Sequence, residues 1–214
     1  MRTRIKFCGL VRAQDVDTAV ALGVDAIGFV FYPKSPRALS LQDAANLRRR
    51  LPSFVRAVGL FVDASAQTVA RATHEVGLDV LQLHGDETPQ TSMELAGWAG
   101  RPWWKAIRMR EQTDLLSLAG SFEKAECVLL DSFSESFGGS GKTFDWSWIP
   151  PAMPSRIILS GGLDSTTVGR AVVDVKPFAV DVSSGIQGVN PREKDPAKME
   201  RFVSAVIAAD AGLI

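Results

Sequence analysis

Two side chains suited to moving protons close short apolar runs. Cys8 ends Arg4-Ile-Lys-Phe-Cys8, and Asp131 ends Cys127-Val-Leu-Leu-Asp131. A free thiol titrates near about 8.5 and is mostly protonated at neutral pH; a neighbouring cation such as Lys6 increases its thiolate fraction. A carboxyl group held away from water titrates higher and can serve as an acid. A thiol and a carboxyl group facing one mouth therefore suit general acid–base transfer. Cys127, inside Cys-Val-Leu-Leu, reads instead as a small buried hydrophobe. The two His and two Cys are scattered and have no metal-ligand spacing.

A second chemistry is carried by two Gly/Ser stretches, Leu159-Ser-Gly-Gly-Leu163 and Val182-Ser-Ser-Gly-Ile-Gln187. Glycines let backbone N–H groups approach phosphate oxygens, and serine hydroxyls donate alongside them. Gly161, Gly162, Ser183, Ser184 and Gly185 are the candidates. A third stretch, Gly138-Gly-Ser-Gly-Lys-Thr143, looks like a nucleotide loop but lacks its first glycine, because position 136 is Ser136. It reads better as a loop that closes over substrate, with Lys142 available as a donor.

These groups need elements to position them. Apolar runs at 4–8, 26–31, 56–62, 80–84, 103–107, 127–131, 157–160 and 179–182 are bounded by Gly, Pro, Asp or Ser and read as strands. Between them, apolar residues at spacings of three and four predict helices over 15–22, 41–51, 66–75, 88–98, 165–173 and 196–209. Asp15, Ser40, Ser65, Asp164 and Asp195 stand where N-caps are wanted. Strand–helix alternation with eight strands predicts an α/β fold, a (β/α)8 TIM barrel, as one domain over 1–214; an open doubly wound sheet would need fewer strands. In such a barrel chemistry gathers at the C-terminal strand ends, and phosphate is often held after strands seven and eight. Side chains two apart share a face, so Lys6, Cys8, Gln82, His84, Asp131, Asp181 and Ser183 are expected to converge on the barrel mouth.

Composition narrows the class further. Lys+Arg and Asp+Glu are equal at 24 each, with no basic stripe, which argues against nucleic-acid binding. No apolar stretch is long enough for a membrane span, and the basic start lacks the apolar region of a secretory signal. Two cysteines are too few for a disulfide framework, so a reducing, cytoplasmic setting is expected. The pattern permits a monomer or a homodimer.

Several blocks occur together in order: Lys6-Phe-Cys-Gly-Leu10, Gly28-Phe-Val-Phe-Tyr-Pro-Lys-Ser-Pro-Arg37, Val58-Gly-Leu-Phe-Val62, Leu81-Gln-Leu-His-Gly85, Leu130-Asp131, Gly138-Gly-Ser-Gly-Lys-Thr-Phe-Asp-Trp146, Leu159-Ser-Gly-Gly-Leu163 and Phe178-Ala-Val-Asp-Val-Ser-Ser-Gly185. Together they resemble the phosphoribosylanthranilate isomerase family of tryptophan biosynthesis, over nearly the whole chain. The resemblance implies an Amadori rearrangement of a small phosphorylated substrate, without a cofactor. It makes Cys8 the general base and Asp131 the general acid, and places Arg37 on the anthranilate carboxylate. It sets Gly141, Gly161, Gly162, Ser183 and Ser184 around the phosphate, and His84 near the site. Lys6 and Asp181 are further candidates for substrate contact.

Some positions depart from the family pattern. Val11-Arg12 follows Cys-Gly-Leu where a Thr is usual, Gln187 stands where an acidic residue is common, and Arg192 where Gly is frequent. The related isomerase of histidine biosynthesis, with a carboxylate at the first-strand base position, is a rival reading. A barrel that only binds a phosphometabolite is another.

Overall fold

The computed structural model describes residues 2–133, 143–153 and 155–214. The strands are β1 (Arg4–Cys8), β2 (Ala26–Val30), β3 (Arg56–Phe61), β4 (Val80–Leu83), β5 (Trp103–Met109), β6 (Cys127–Ser132), β7 (Ile157–Leu159) and β8 (Ala179–Val182). All neighbouring pairs are parallel, and β1 pairs with both β2 and β8, which closes the barrel. The helices are α1 (Ala13–Ala21), α2 (Leu41–Arg48), α3 (Ala66–Val76), α4 (Pro89–Ala99), α5 (Leu115–Ser121), α6 (Val168–Val175) and α7 (Pro196–Asp210), with 3₁₀ turns at Trp146–Trp148 and Ser184–Ile186.

Strands covered on both faces explain the near-continuous apolar runs. One set of side chains packs outward against the helices, among them Phe7, Phe29, Phe61, Leu81, Leu83 and Leu130. The alternate set fills the barrel: Ala26, Val58, Val80, Trp104, Ala106, Cys127, Leu129, Ile158 and Ala179. Cys127 is thus interior filling, and burial pushes its thiol up to about 12.

Local chemistry fixes the helix ends. Ser40, Ser65, Thr88 and Asp195 each accept the N–H of the residue three positions on, and Pro89 and Pro196 occupy first-turn positions where no N–H is needed. Two expected caps are corrected. Asp15 lies inside the first turn of α1, buried and held by Arg12, which occupies the cap position. Asp164 caps a turn ahead of α6, accepting from the N–H groups of Thr166 and Thr167; the helix itself begins at Val168. The short α5 was not expected, since only Leu115 and Ala119 of its residues are buried.

Candidate active site

Cys8, at the end of β1, is buried beside Gly28 of β2, its register partner. A Cβ on Gly28 would lie 2.8 Å from the Cys8 Sγ, so the glycine makes room for the thiol. Gly9 follows with φ +71, and a Cβ there would lie 2.5 Å from the Cδ of Arg37. The chain turns tightly away from the thiol and lets Arg37 close over it.

Lys6 points into the barrel and donates to Asp181 Oδ1 at 2.7 Å, with both groups almost fully buried. Ser160 Oγ donates to the other oxygen of Asp181 at 3.3 Å. These two expected site residues are therefore bonded to each other, one side-chain layer below Cys8. The expected effect of Lys6 on Cys8 is present but outweighed. Burial pushes the thiol up, Lys6 pulls it down, and Asp181 pushes it up again; the net direction is upward. The resting thiol is therefore protonated at neutral pH.

On the other side of the mouth, Asp131 is buried at the end of β6. His84 Nε2 lies 3.1 Å from Asp131 Oδ2, and Gln82 Nε2 lies 2.9 Å from His84 Nδ1. The Ser132 N–H donates to Asp131 Oδ1 at 2.9 Å. With the Gln82 amide donating, His84 carries its proton on Nε2 and gives it to the carboxylate. The Gln82 Oε1 is buried without a partner among the described residues. Rotating that amide would let Oε1 accept from Nδ1–H instead, so the chain of three side chains can bond either tautomer of His84.

The phosphate candidates are brought together by close backbone contact. Gly161 and Gly162 have φ +80 and +67, a left-handed pair that only glycines adopt easily. A Cβ on Gly161 would meet the Ser132 N at 2.4 Å and one on Gly185 the Leu163 carbonyl at 2.0 Å, so the end of β6 and the loops after β7 and β8 interlock. The N–H groups of Gly161 and Gly162 donate to no protein acceptor among the described residues. The chain after β8 forms the 3₁₀ turn Ser184–Ile186. Gly141 and Lys142, with the rest of the expected closing loop at 138–142, lie outside the described residues.

Arg37 reaches the mouth from the β2–α2 loop and donates through Nη2 to Gln187 Oε1 at 2.5 Å; its buried Nε has no partner among the described residues. Gln187 thus replaces the usual acidic residue without placing a carboxylate against the guanidinium.

Lys194 was missed as a functional side chain. It is 2% exposed, donates to the Ser183 carbonyl at 2.8 Å and lies 3.3 Å from the Ser183 Oγ, which in turn donates to the Cys8 carbonyl at 3.0 Å. Burial first, and repulsion from Arg37 second, pull its ammonium down to about 7. The bridge between Gln187 and Lys194, with Arg12 and Asp15 bonded to the Lys194 backbone, folds this residue back over the site, and no local pattern announces that pairing.

The mouth therefore joins a buried thiol, a carboxyl group on a proton chain, free backbone donors and an unsatisfied guanidinium. Residues 5–205 match the family model for N-(5'phosphoribosyl)anthranilate (PRA) isomerase. An N-(5'-phosphoribosyl)anthranilate isomerase of Ralstonia nicotianae is 52% identical, covering 99% of this chain and 96% of the relative. The crystal structure of phosphoribosyl anthranilate isomerase from Thermotoga maritima superposes with a TM-score of 0.88 at 36% identity, over 96% of this chain and 99% of that one. A structure of the isomerase with reduced 1-(o-carboxyphenylamino)-1-deoxyribulose 5-phosphate superposes at 0.85, with 33% identity over 96% of this chain and 99% of that one. The motifs, the closed barrel and these full-length likenesses agree: the chain belongs to the phosphoribosylanthranilate isomerase family.

Proposed function

We propose that this protein converts N-(5-phosphoribosyl)anthranilate to 1-(2-carboxyphenylamino)-1-deoxyribulose 5-phosphate, with Asp131 as general acid and Cys8 as general base. The observation that carries the assignment is the pairing of a buried thiol on β1 with a buried carboxyl group on β6, both beside glycine loops with free N–H groups.

Protonated Asp131 gives its proton to the furanose ring oxygen. The C1′–O bond breaks, and the anilino nitrogen lone pair forms the C1′=N iminium. Cys8 removes the proton from C2′, and the C–H electrons form the enolamine while the iminium π pair returns to nitrogen. Tautomerisation then gives the ketone, with no net oxidant or reductant. The substrate nitrogen is the electron sink, so no cofactor is needed. Burial holds the resting thiol protonated, so Cys8 acts as base only after its own proton has passed to water; the positive charge of the iminium beside it favours that thiolate at the step that requires it.

The remaining residues bind and orient. Arg37 offers its unpaired Nε and a planar fork to the anthranilate carboxylate. Gly161, Gly162, Ser184 and Gly185 hold the phosphate, with Ser183 tied between Lys194 and the Cys8 backbone. His84 and Gln82 position Asp131 and relay its proton. The Lys6–Asp181 pair forms a charged floor beneath the thiol. A reducing, cytoplasmic setting keeps Cys8 free.

The test is a fluorescence assay in which anthranilate and phosphoribosyl pyrophosphate are joined by a transferase, so that the unstable substrate forms in place. Cys8→Ala should lower turnover by about 10²–10⁴-fold while the circular dichroism spectrum is retained. Near-normal turnover in that variant would remove Cys8 from the mechanism.

A further inference from the structure

The opposite end of the barrel, where the strands begin, holds a cavity of 320 Å3. Its wall includes Arg4 from the start of β1, Arg56 from the start of β3 and Arg156 just before β7, with Trp104 and Phe178. Among these arginines, only Arg56 has a carboxylate partner, Glu126 at 3.5 Å. Neither Arg4 nor Arg156 has a carboxylate within 4 Å among the described residues. Glu126 is further held by the Trp104 Nε1–H at 3.2 Å. Asp25, also on the wall, is occupied by Arg2 and by the Ile5 N–H. Lys6 reaches the cavity but is paired with Asp181. Three guanidinium groups against the one carboxylate of Glu126 leave a local charge of +2, in a chain whose formal net charge is zero.

Those guanidiniums are not loose. Arg4 and Arg156 lie over the ring of Phe178, at 4.2 and 5.0 Å from its centroid, which fixes both side chains without neutralising them. Fixed, like-charged forks around a concavity match a planar or tetrahedral oxyanion, and little ordering remains when one binds. The volume is at the small end of ligand pockets. We propose that this basal cavity is a second anion site, taking a small dianionic oxyanion of the phosphate class, separate from the catalytic mouth at the other end of the strands.

The probe is inorganic phosphate at pH 8, titrated by calorimetry into the full chain. Wild type should bind at two sites. Gly162→Asp, which sets a carboxylate in the mouth's phosphate loop, should keep only the basal one. Arg4→Gln/Arg156→Gln should keep only the mouth site and turn over normally, since it touches neither Cys8 nor Asp131. Glu126→Gln removes the opposing carboxylate and should tighten basal binding by about three- to tenfold, a gain that misfolding does not produce. A single site in wild type that Gly162→Asp abolishes would overturn the proposal. So would two-site binding that survives the double arginine variant, or unchanged affinity in Glu126→Gln.

Discussion

The two ends of this barrel are built from the same alternating strands, yet they treat charge in opposite ways. At the catalytic mouth and the layer below it, ionisable groups are buried and joined in pairs: Lys6 with Asp181, His84 with Asp131, and Lys105 with Glu87 at 2.6 Å. What is left over there among the described residues is the Arg37 Nε, the glycine N–H groups and the Gln82 Oε1. At the base, Arg56 and Arg156 are exposed, and of the three arginines only Arg56 has a carboxylate partner among the described residues. The mouth is dry and interlocked, so changing one member strands another. The base is wet and screened, so a single change there leaves nothing buried behind.

The sharpest way to break that comparison is to cut one charge at each end. Lys6→Met leaves Asp181 buried with only Ser160 to satisfy it, and should cost about 3–5 kcal/mol in urea unfolding. Lys6→Met/Asp181→Leu should recover most of the loss, because replacing a whole buried pair by apolar groups is often close to neutral. Arg156→Met at the base should cost less than about 1 kcal/mol. Equal losses at the two ends would end the distinction.

A smaller effect tests how tightly the mouth is packed. The Cβ of Gly28→Ala would press on the Cys8 Sγ at 2.8 Å and the Cys8 Cα at 3.2 Å. The thiol can rotate but the strand backbone cannot, so the loss of stability should be about 1–3 kcal/mol. Because the displaced atom is the proposed base, kcat should fall by roughly 10²-fold, the scale on which small misplacements act. A stability loss with unchanged kcat would mean that Cys8 is not positioned for chemistry.

The sequence reveals these parts unevenly. Strands covered on both faces leave uninterrupted apolar runs, so all eight starts stand out, from Arg4 to Ala179. Cys8 and Asp131 stand out because a polar group ending such a run has few structural reasons to be there. The alternation rule also puts Gln82 in line with His84. Relations that depend on register or on a returning loop are hidden. Gly28 matters because it pairs with Cys8, and Lys194 because the bridge to Gln187 brings it back onto Ser183. The net shift of Cys8 is hidden for a related reason: Lys6 is near enough to help the thiolate, as its position two residues away suggests, but the depth of burial and Asp181 behind it decide the sign.

Lys194 gives the smallest of these effects, and its pH dependence sets it apart. The folded protein holds this ammonium at about 7, against 10.5 for the ordinary side chain. Below pH 7 both folded and unfolded chains carry the proton, and the full cost of burying the charge is felt. Above it the unfolded chain binds more protons than the folded one, so stability rises with pH. The thiols act the other way: Cys127, raised to about 12, and Cys8, also raised, hold protons that the unfolded chain loses, and stability falls above pH 9. The clean window is therefore pH 6 to 8.5. Across it the wild-type protein should gain about 1–2 kcal/mol relative to Lys194→Met, which lacks the titrating group. Parallel urea-unfolding curves for the two proteins at pH 6 and 8.5 measure that difference. If the two proteins change equally, Lys194 remains charged in the folded state, and the mouth holds one more cation than its burial allows.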